Sequence, residues 1–137
     1  MSVGAWEPEK APGDRDNDHS RDEIDRALLE KIIASMQGDV NTVATFPQEI
    51  IEAKWLAGLP AQQWLDEATA LDPDRLWALI RFFTLAEMQL PDWQGGAESP
   101  VIPLAKSLRR RKTPLSRDQL MWIRQHSDNR YLPYGPL

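Results

Sequence analysis

Prolines and capping residues divide most of this chain into short segments that repeat apolar residues at helical spacing. Pro47, Pro60, Pro73 and Pro100 each stand where such a segment begins, and Pro91 stands where one ends. Proline fits the first turn of a helix, where its missing N–H costs little, but it breaks a helix interior. The chain also lacks the period-two alternation typical of strands. It is therefore predicted to fold into short helices.

Capping signals and apolar spacing together predict six helices. The first covers residues 21–37, with Ser20 and Glu23 as a capping box at its start and Gly38 after its end. The second lies between Pro47 and Gly58, and the third begins at Pro60. The fourth runs from Asp72 and Pro73 to Pro91, the fifth from Ser99 and Pro100 to Lys112, and the sixth begins at a second capping box, Ser116 and Gln119. The fourth has the widest apolar face, so we expect it to be central and most buried. Trp64 and Trp77 lie on apolar faces and are expected in the core.

Length and composition suit one domain with two irregular ends. The chain has 137 residues, enough for a core of its own. Residues 1–19 carry one large apolar side chain, Trp6, among prolines and charges, so we expect a disordered acidic arm. The last ten residues hold two prolines and a glycine and are expected to form an extended tail. The prediction is an all-α fold: a compact bundle of about six short-to-medium helices over residues 20–137, as one domain.

Several classes of chemistry have no support in the sequence. There is no cysteine, which excludes disulfides and thiolate zinc sites. The only histidines are His19 and His126, and no inward-facing pair of carboxylates is evident, although Glu87 extends the inner line of the fourth helix. We expect no catalytic residue, no metal and no cofactor. No apolar stretch approaches the roughly 18 residues of a membrane span, so a cytoplasmic protein without membrane contact is expected.

Positive charge is concentrated in the last third of the chain. Residues 1–99 hold 8 Lys and Arg against 19 Asp and Glu, a net charge of −11, whereas residues 100–137 hold 8 against 2, a net charge of +6. The predicted end of the fifth helix and start of the sixth carry five cations: Arg109, Arg110, Arg111, Lys112 and Arg117. These cations either are solvated or paired with acids inside the fold, or they form a docking surface.

Four aromatic side chains are added to this candidate surface. Trp93 lies in a loop, "DWQGG", where an indole either plugs the domain's own groove or binds a partner. Trp122 is expected near the rim of the last helix. Tyr131 and Tyr134 belong to the tail, which either packs on the core or projects as a peptide. The predicted partner-binding set is thus these four residues and the five cations.

Three functions fit these features. The first is a non-enzymatic interaction module, an adaptor or regulatory protein, that binds an acidic or aromatic-binding protein partner. The second is a nucleic-acid-binding protein that uses residues 100–126 as a helix-turn-helix-like hairpin, although the overall charge of −5 opposes it. The third is a small helical enzyme, which would need an enclosed pocket at Glu87 or His126. The partner's identity and the oligomeric state do not follow from the sequence.

Overall fold

The computed structural model describes residues 24–135. Within that range it contains six α-helices, two short 3-10 helices and no strand, which confirms the all-α prediction. The α-helices are α1 (Arg26–Ser35), α2 (Gln48–Ile51), α3 (Ala61–Ala68), α4 (Pro73–Gln89), α5 (Val101–Arg110) and α6 (Arg117–His126); the 3-10 helices are Lys54–Gly58 and Gly96–Glu98. The predicted disordered arm, residues 1–19, lies outside the described residues.

Local capping chemistry starts α4 and α6 where the sequence predicts. At α4, the Asp72 side chain accepts a hydrogen bond from the Arg75 backbone N–H at 2.8 Å, and Pro73 occupies the first turn. At α6, the Ser116 and Gln119 side chains each accept the other residue's backbone N–H, at 3.1 and 2.8 Å. These contacts satisfy N–H groups that have no partner inside the helix.

The first helix begins later than predicted. Ile24 and Asp25 are not helical, and α1 starts at Arg26 with Asp25 as its N-cap. One reason is a long-range contact, because the Ile24 backbone N–H donates to Oε1 of Gln63 at 3.2 Å. The predicted capping residues, Ser20 and Glu23, lie outside the described residues. Gly38 has a left-handed φ of +82°, but the C-cap of α1 is Met36, so Gly38 lies two residues beyond this cap and the helix ends earlier than the sequence predicts.

The predicted second helix is two elements. Its first part, α2, is a single turn, and its second part is the 3-10 helix Lys54–Gly58. The buried side chains here are Ile50, Ala53, Leu56 and Leu59, which recur every third residue. A 3-10 helix has three residues per turn and therefore places such side chains on one face. An apolar residue at every third position is the sequence signal for this 3-10 helix, and the prediction of one α-helix does not take it into account.

The fourth helix is the centre of the bundle, as predicted. Every residue from 82 to 87 is buried, so this part of α4 is covered on all sides. Helix α1 packs beside it in the same direction, since Glu30 pairs with Arg75 and Met36 O accepts from Arg81. Buried side chains from all six helices join in one core, to which Trp64 contributes with no exposed surface and Trp77 with a partly buried ring.

Helices α5 and α6 complete the bundle around α4. Helix α5 runs antiparallel to α4, because Ser99 precedes α5 beside Glu87 while Arg111 follows it beside Leu71. Helix α6 returns parallel to α4, because the Trp122 ring contacts Trp77 near the start of α4, at 5.6 Å, while Asn129, after α6, donates to Glu87 near the end of α4. This path brings the end of α5 and the start of α6 to the end of the bundle where α4 begins.

The tail after α6 is non-helical, as predicted, but it forms turns where an extended segment is expected, and it folds back onto the bundle. Residues 130–134 form turns, and the Leu132 side chain is buried in the core. The Tyr131 carbonyl accepts the Gly135 N–H at 2.6 Å. Of the two alternatives for the tail, the structure therefore shows packing on the core rather than a projecting peptide.

Candidate functional site

Four cations lie together on exposed surface at one end of the bundle. Arg109 and Arg110 belong to the last turn of α5, Lys112 to the following turn and Arg117 to the first turn of α6. All four are exposed, and we call them the basic end. Within residues 24–135, none of them lies within 4.0 Å of a carboxylate oxygen. Pairing with described acids therefore does not account for this charge.

Arg111 has a different position from its neighbours. Its guanidinium turns inward and donates to two backbone carbonyls at the end of α3, those of Ala68 and Leu71, the latter at 2.7 Å. A cation at the negative end of a helix dipole that also satisfies terminal carbonyls stabilises the helix. Arg111 therefore holds α3 against α5, and the structure does not place its guanidinium with the four exposed cations.

Arg81 caps α1 in the same way. Its guanidinium donates to Met36 O at 2.5 Å and to Gly38 O at 2.9 Å. Burial lowers the pKa of Arg81 from its ordinary value, and the nearby charge of Asp39 opposes that change. Two of the chain's arginines thus act on helix C-termini, a role that spacing along the sequence does not reveal.

Lys112 adopts a backbone conformation that lysine rarely takes. Its φ is +65°, in the left-handed region, directly after the cap of α5. The N–H of Lys112 donates to Arg109 O and that of Thr113 to Leu108 O, both at 3.1 Å, which is the Schellman pattern of helix termination. Glycine is the usual residue there, because a side chain in this region costs about 1–2 kcal/mol.

The two tail tyrosines lie at different places. The Tyr134 ring lies under the Arg109 guanidinium, 4.2 Å from its central carbon, and thereby adjoins the basic end. Tyr131 instead lines a groove of about 350 Å³ with Glu87, Met88 and Asn129, near the last turn of α4. The predicted surface therefore keeps Tyr134 and loses Tyr131, which is at the opposite end of α4.

Neither predicted tryptophan belongs to the basic end. Trp93 is 1% exposed; its ring packs edge-on against Phe82 at 5.4 Å, and its Nε1 donates to Ile51 O at 3.3 Å. A buried indole has no free face for a partner, so Trp93 fills the domain's own groove and is removed from the contact surface. Trp122 is half-buried, with its ring stacked on the His126 ring at 4.2 Å.

Glu87 is a buried carboxylate that joins three segments. It is 5% exposed, contrary to the exposure common so near a helix end. The Ser99 hydroxyl donates to its Oε2, and the Asn129 side-chain amide donates to its Oε1 at 3.1 Å. Asn129 also donates to Gly96 O at 3.0 Å. Burial raises the pKa of the Glu87 carboxyl, and the two side-chain hydrogen bonds oppose that rise. The cluster ties the tail to α4 and to the start of α5.

The shifted pKa of Glu87 predicts a pH-dependent stability. A raised pKa in the folded state means that folding favours the protonated carboxyl. That stabilisation is complete below the unfolded-state pKa, about 4.3, and is lost as the pH rises through the folded-state value. Relative to Glu87→Gln, which cannot titrate there, the native protein should lose unfolding free energy as the pH rises through this window. Urea denaturation at a series of pH values measures the difference, and parallel pH curves for the two proteins would contradict the prediction.

Three further features bear on other kinds of function: metal-ligand clusters, the histidine His126 and membrane-spanning helices. Within residues 24–135, no group of three or more His, Asp or Glu side chains converges as metal ligands would. The His126 ring lies over Trp122, with Nδ1 2.8 Å from the Trp122 carbonyl oxygen. None of the helices in the described part of the chain combines the length and the hydropathy required to cross a bilayer.

Comparison with known proteins gives no relative. No protein-family model matches this chain, and neither the curated proteins nor the solved structures contain a significant match to it.

Proposed function

We propose that this protein is a cytoplasmic, non-enzymatic interaction module that binds an acidic segment of a protein partner through its basic end. The observation that carries the proposal is the exposure of Arg109, Arg110, Lys112 and Arg117 without a carboxylate partner among residues 24–135. The chain as a whole has a net charge of −5, so acids are plentiful elsewhere in it. Four cations that lie apart from the acids of residues 24–135 favour an acid supplied from outside this part of the chain.

The conformation of Lys112 supports the same proposal. Strained backbone that the surrounding fold maintains is concentrated at functional sites in proteins. Glycine would satisfy the Schellman pattern at position 112 without the steric cost of a side chain. A lysine there adds a fourth cation to the surface but lowers the stability of the fold. Such a cost is expected where the cation binds the acidic partner.

Nucleic acid remains the second candidate because α5, a short turn and α6 occupy the predicted hairpin. Two features oppose it. Affinity for phosphate backbones depends on an extended positive field, whereas the molecule's net charge is −5. Arg111, in the middle of the basic run, is also committed to the carbonyls of α3. An acidic protein segment needs only the compact cluster that remains.

The test is to neutralise the basic end while leaving Arg111 intact. The variant Arg109→Gln, Arg110→Gln, Lys112→Gln should weaken binding of a fluorescent poly-glutamate peptide about tenfold or more, because three charge pairs are lost. The control is Arg26→Gln, Lys31→Gln, Lys54→Gln, which removes the same charge from cations that already pair with acids in the fold. Fluorescence anisotropy measures the dissociation constants, and circular dichroism checks that both variants fold.

Each outcome separates the candidates. A loss confined to the basic-end variant supports the proposal. Equal losses in the two variants would show that only net charge matters, which contradicts a defined surface. Tighter binding of a generic DNA duplex than of poly-glutamate, with a steep salt dependence, would favour the nucleic-acid candidate instead.

A further inference from the structure

Helix α6 carries an exposed methionine between two exposed arginines. The Met121 side chain is 49% exposed. Arg117 precedes it by four residues and Arg124 follows it by three, and both are exposed. Residues three and four apart lie on the same helix face with Cβ atoms about 5–6 Å apart. The three side chains therefore form one stripe, cation, apolar, cation, along the outside of α6.

The opposite side of α6 explains why this stripe is free. Ile123 is buried, and the Trp122 ring packs edge-on against Trp77 of α4. Those contacts fix the rotation of α6 and leave Met121 facing away from the bundle. In the described part of the chain, no carboxylate lies within ion-pair distance of Arg117 or Arg124. The stripe is thus unpartnered in both its apolar and its charged parts.

We infer that the outer face of α6 binds an amphipathic acidic helix of the partner protein. In that helix an apolar side chain contacts Met121, and carboxylates one turn before and one turn after it pair with Arg117 and Arg124. The two arginines are seven residues apart, which is a rise of about 10 Å along α6, so two carboxylates seven residues apart on a helix span the same length. The flexible, polarisable thioether of methionine adapts to apolar partners of different shape.

This inference rests on the proposed function and narrows it. Arg117 belongs both to the basic end and to the α6 stripe, so the two surfaces are continuous. The basic end alone would attract any acidic segment, whereas the stripe selects one with an apolar residue at a fixed position between two acids. A nucleic-acid backbone offers no apolar counterpart for Met121.

Two synthetic peptides of identical composition test the inference. Both are helical and acidic; the patterned peptide has leucine on the same face as two glutamates, four residues after one and three before the other, and its isomer has the leucine moved to the opposite face. Native protein should bind the patterned peptide about tenfold more tightly than the isomer, a difference of about 1.4 kcal/mol. Met121→Gln should remove this preference while retaining the affinity for the isomer. Fluorescence anisotropy measures all the dissociation constants.

Met88→Gln is the matched control, because Met88 is 47% exposed but lies at the far end of α4. It should leave the preference unchanged. Equal binding of the two peptides by native protein would overturn the inference and leave the proposed function standing. Failure to bind either peptide or poly-glutamate would overturn both. Concentration-dependent dimerisation that Met121→Gln abolishes would also overturn the inference, since a second copy of the chain would then cover the stripe.

Discussion

Replacing Trp93 with alanine should lower the free energy of unfolding by about 3–5 kcal/mol, as large-to-small changes of buried aromatic residues do. The indole is 1% exposed, packs against Phe82 and Phe83, and donates its N–H to Ile51 O. The change therefore creates a cavity, removes two aromatic contacts and leaves a carbonyl without its partner. Since many domains have a total stability of only about 5–15 kcal/mol, urea denaturation should show a markedly lower midpoint.

Two further variants make the Trp93 result interpretable. Trp93→Phe keeps most of the apolar volume and loses the N–H, so its cost should be well below that of alanine. Trp55→Ala changes an indole that is only half-buried and should cost less than Trp93→Ala. A loss below about 1 kcal/mol for Trp93→Ala is outside the range of core truncations and would restore the alternative that this loop indole binds a partner.

Replacing Arg111 with alanine should lower the free energy of unfolding by about 2–3 kcal/mol, because hydrogen bonds from a charged group contribute about 1.5–3 kcal/mol. The variant removes the guanidinium donor from the Leu71 carbonyl and one of the two donors from the Ala68 carbonyl, which also accepts the Leu71 N–H at 3.1 Å. Arg111→Lys should recover only part of the loss, since a single ammonium lacks the fork geometry that reaches both oxygens.

The adjacent Arg110 gives a control with the same residue type. Arg110 is exposed, and no side-chain partner of it is found among residues 24–135, so Arg110→Ala should change the unfolding free energy by less than about 0.5 kcal/mol. Thermal or urea denaturation of the two alanine variants measures the contrast. Equal effects of the two substitutions would contradict the assignment of Arg111 to the end of α3.

The sequence predicts those elements of the fold that local chemistry controls. Asp72 with Pro73 and Ser116 with Gln119 start α4 and α6 through hydrogen bonds between residues three positions apart, so their signals are complete within a short window. The wide apolar face of α4 likewise predicts its central place. In contrast, the late start of α1 involves a contact with Gln63, a residue 39 positions away, which no local window contains.

The positions of the candidate-site residues are less predictable from the sequence, because contacts between distant segments determine which side chains are buried and which are exposed. Arg110 and Arg111 are adjacent and chemically identical, yet only Arg111 reaches a neighbouring helix. Glu87 is buried because Ser99 and Asn129, from two later segments, donate to it. Met121 is exposed because the rotation of α6 is set by Trp122 against Trp77. None of these outcomes follows from composition or spacing alone.

The backbone at Lys112 has a consequence for anyone who redesigns this protein. A sequence optimiser that judges each position by its backbone angles will choose glycine at 112, and the resulting protein is expected to be easier to produce and slower to unfold. The same choice deletes one quarter of the cationic surface. Under the proposed function, thermostability screens will therefore enrich variants with weaker partner binding, so selection for binding and selection for stability should be run side by side at this position.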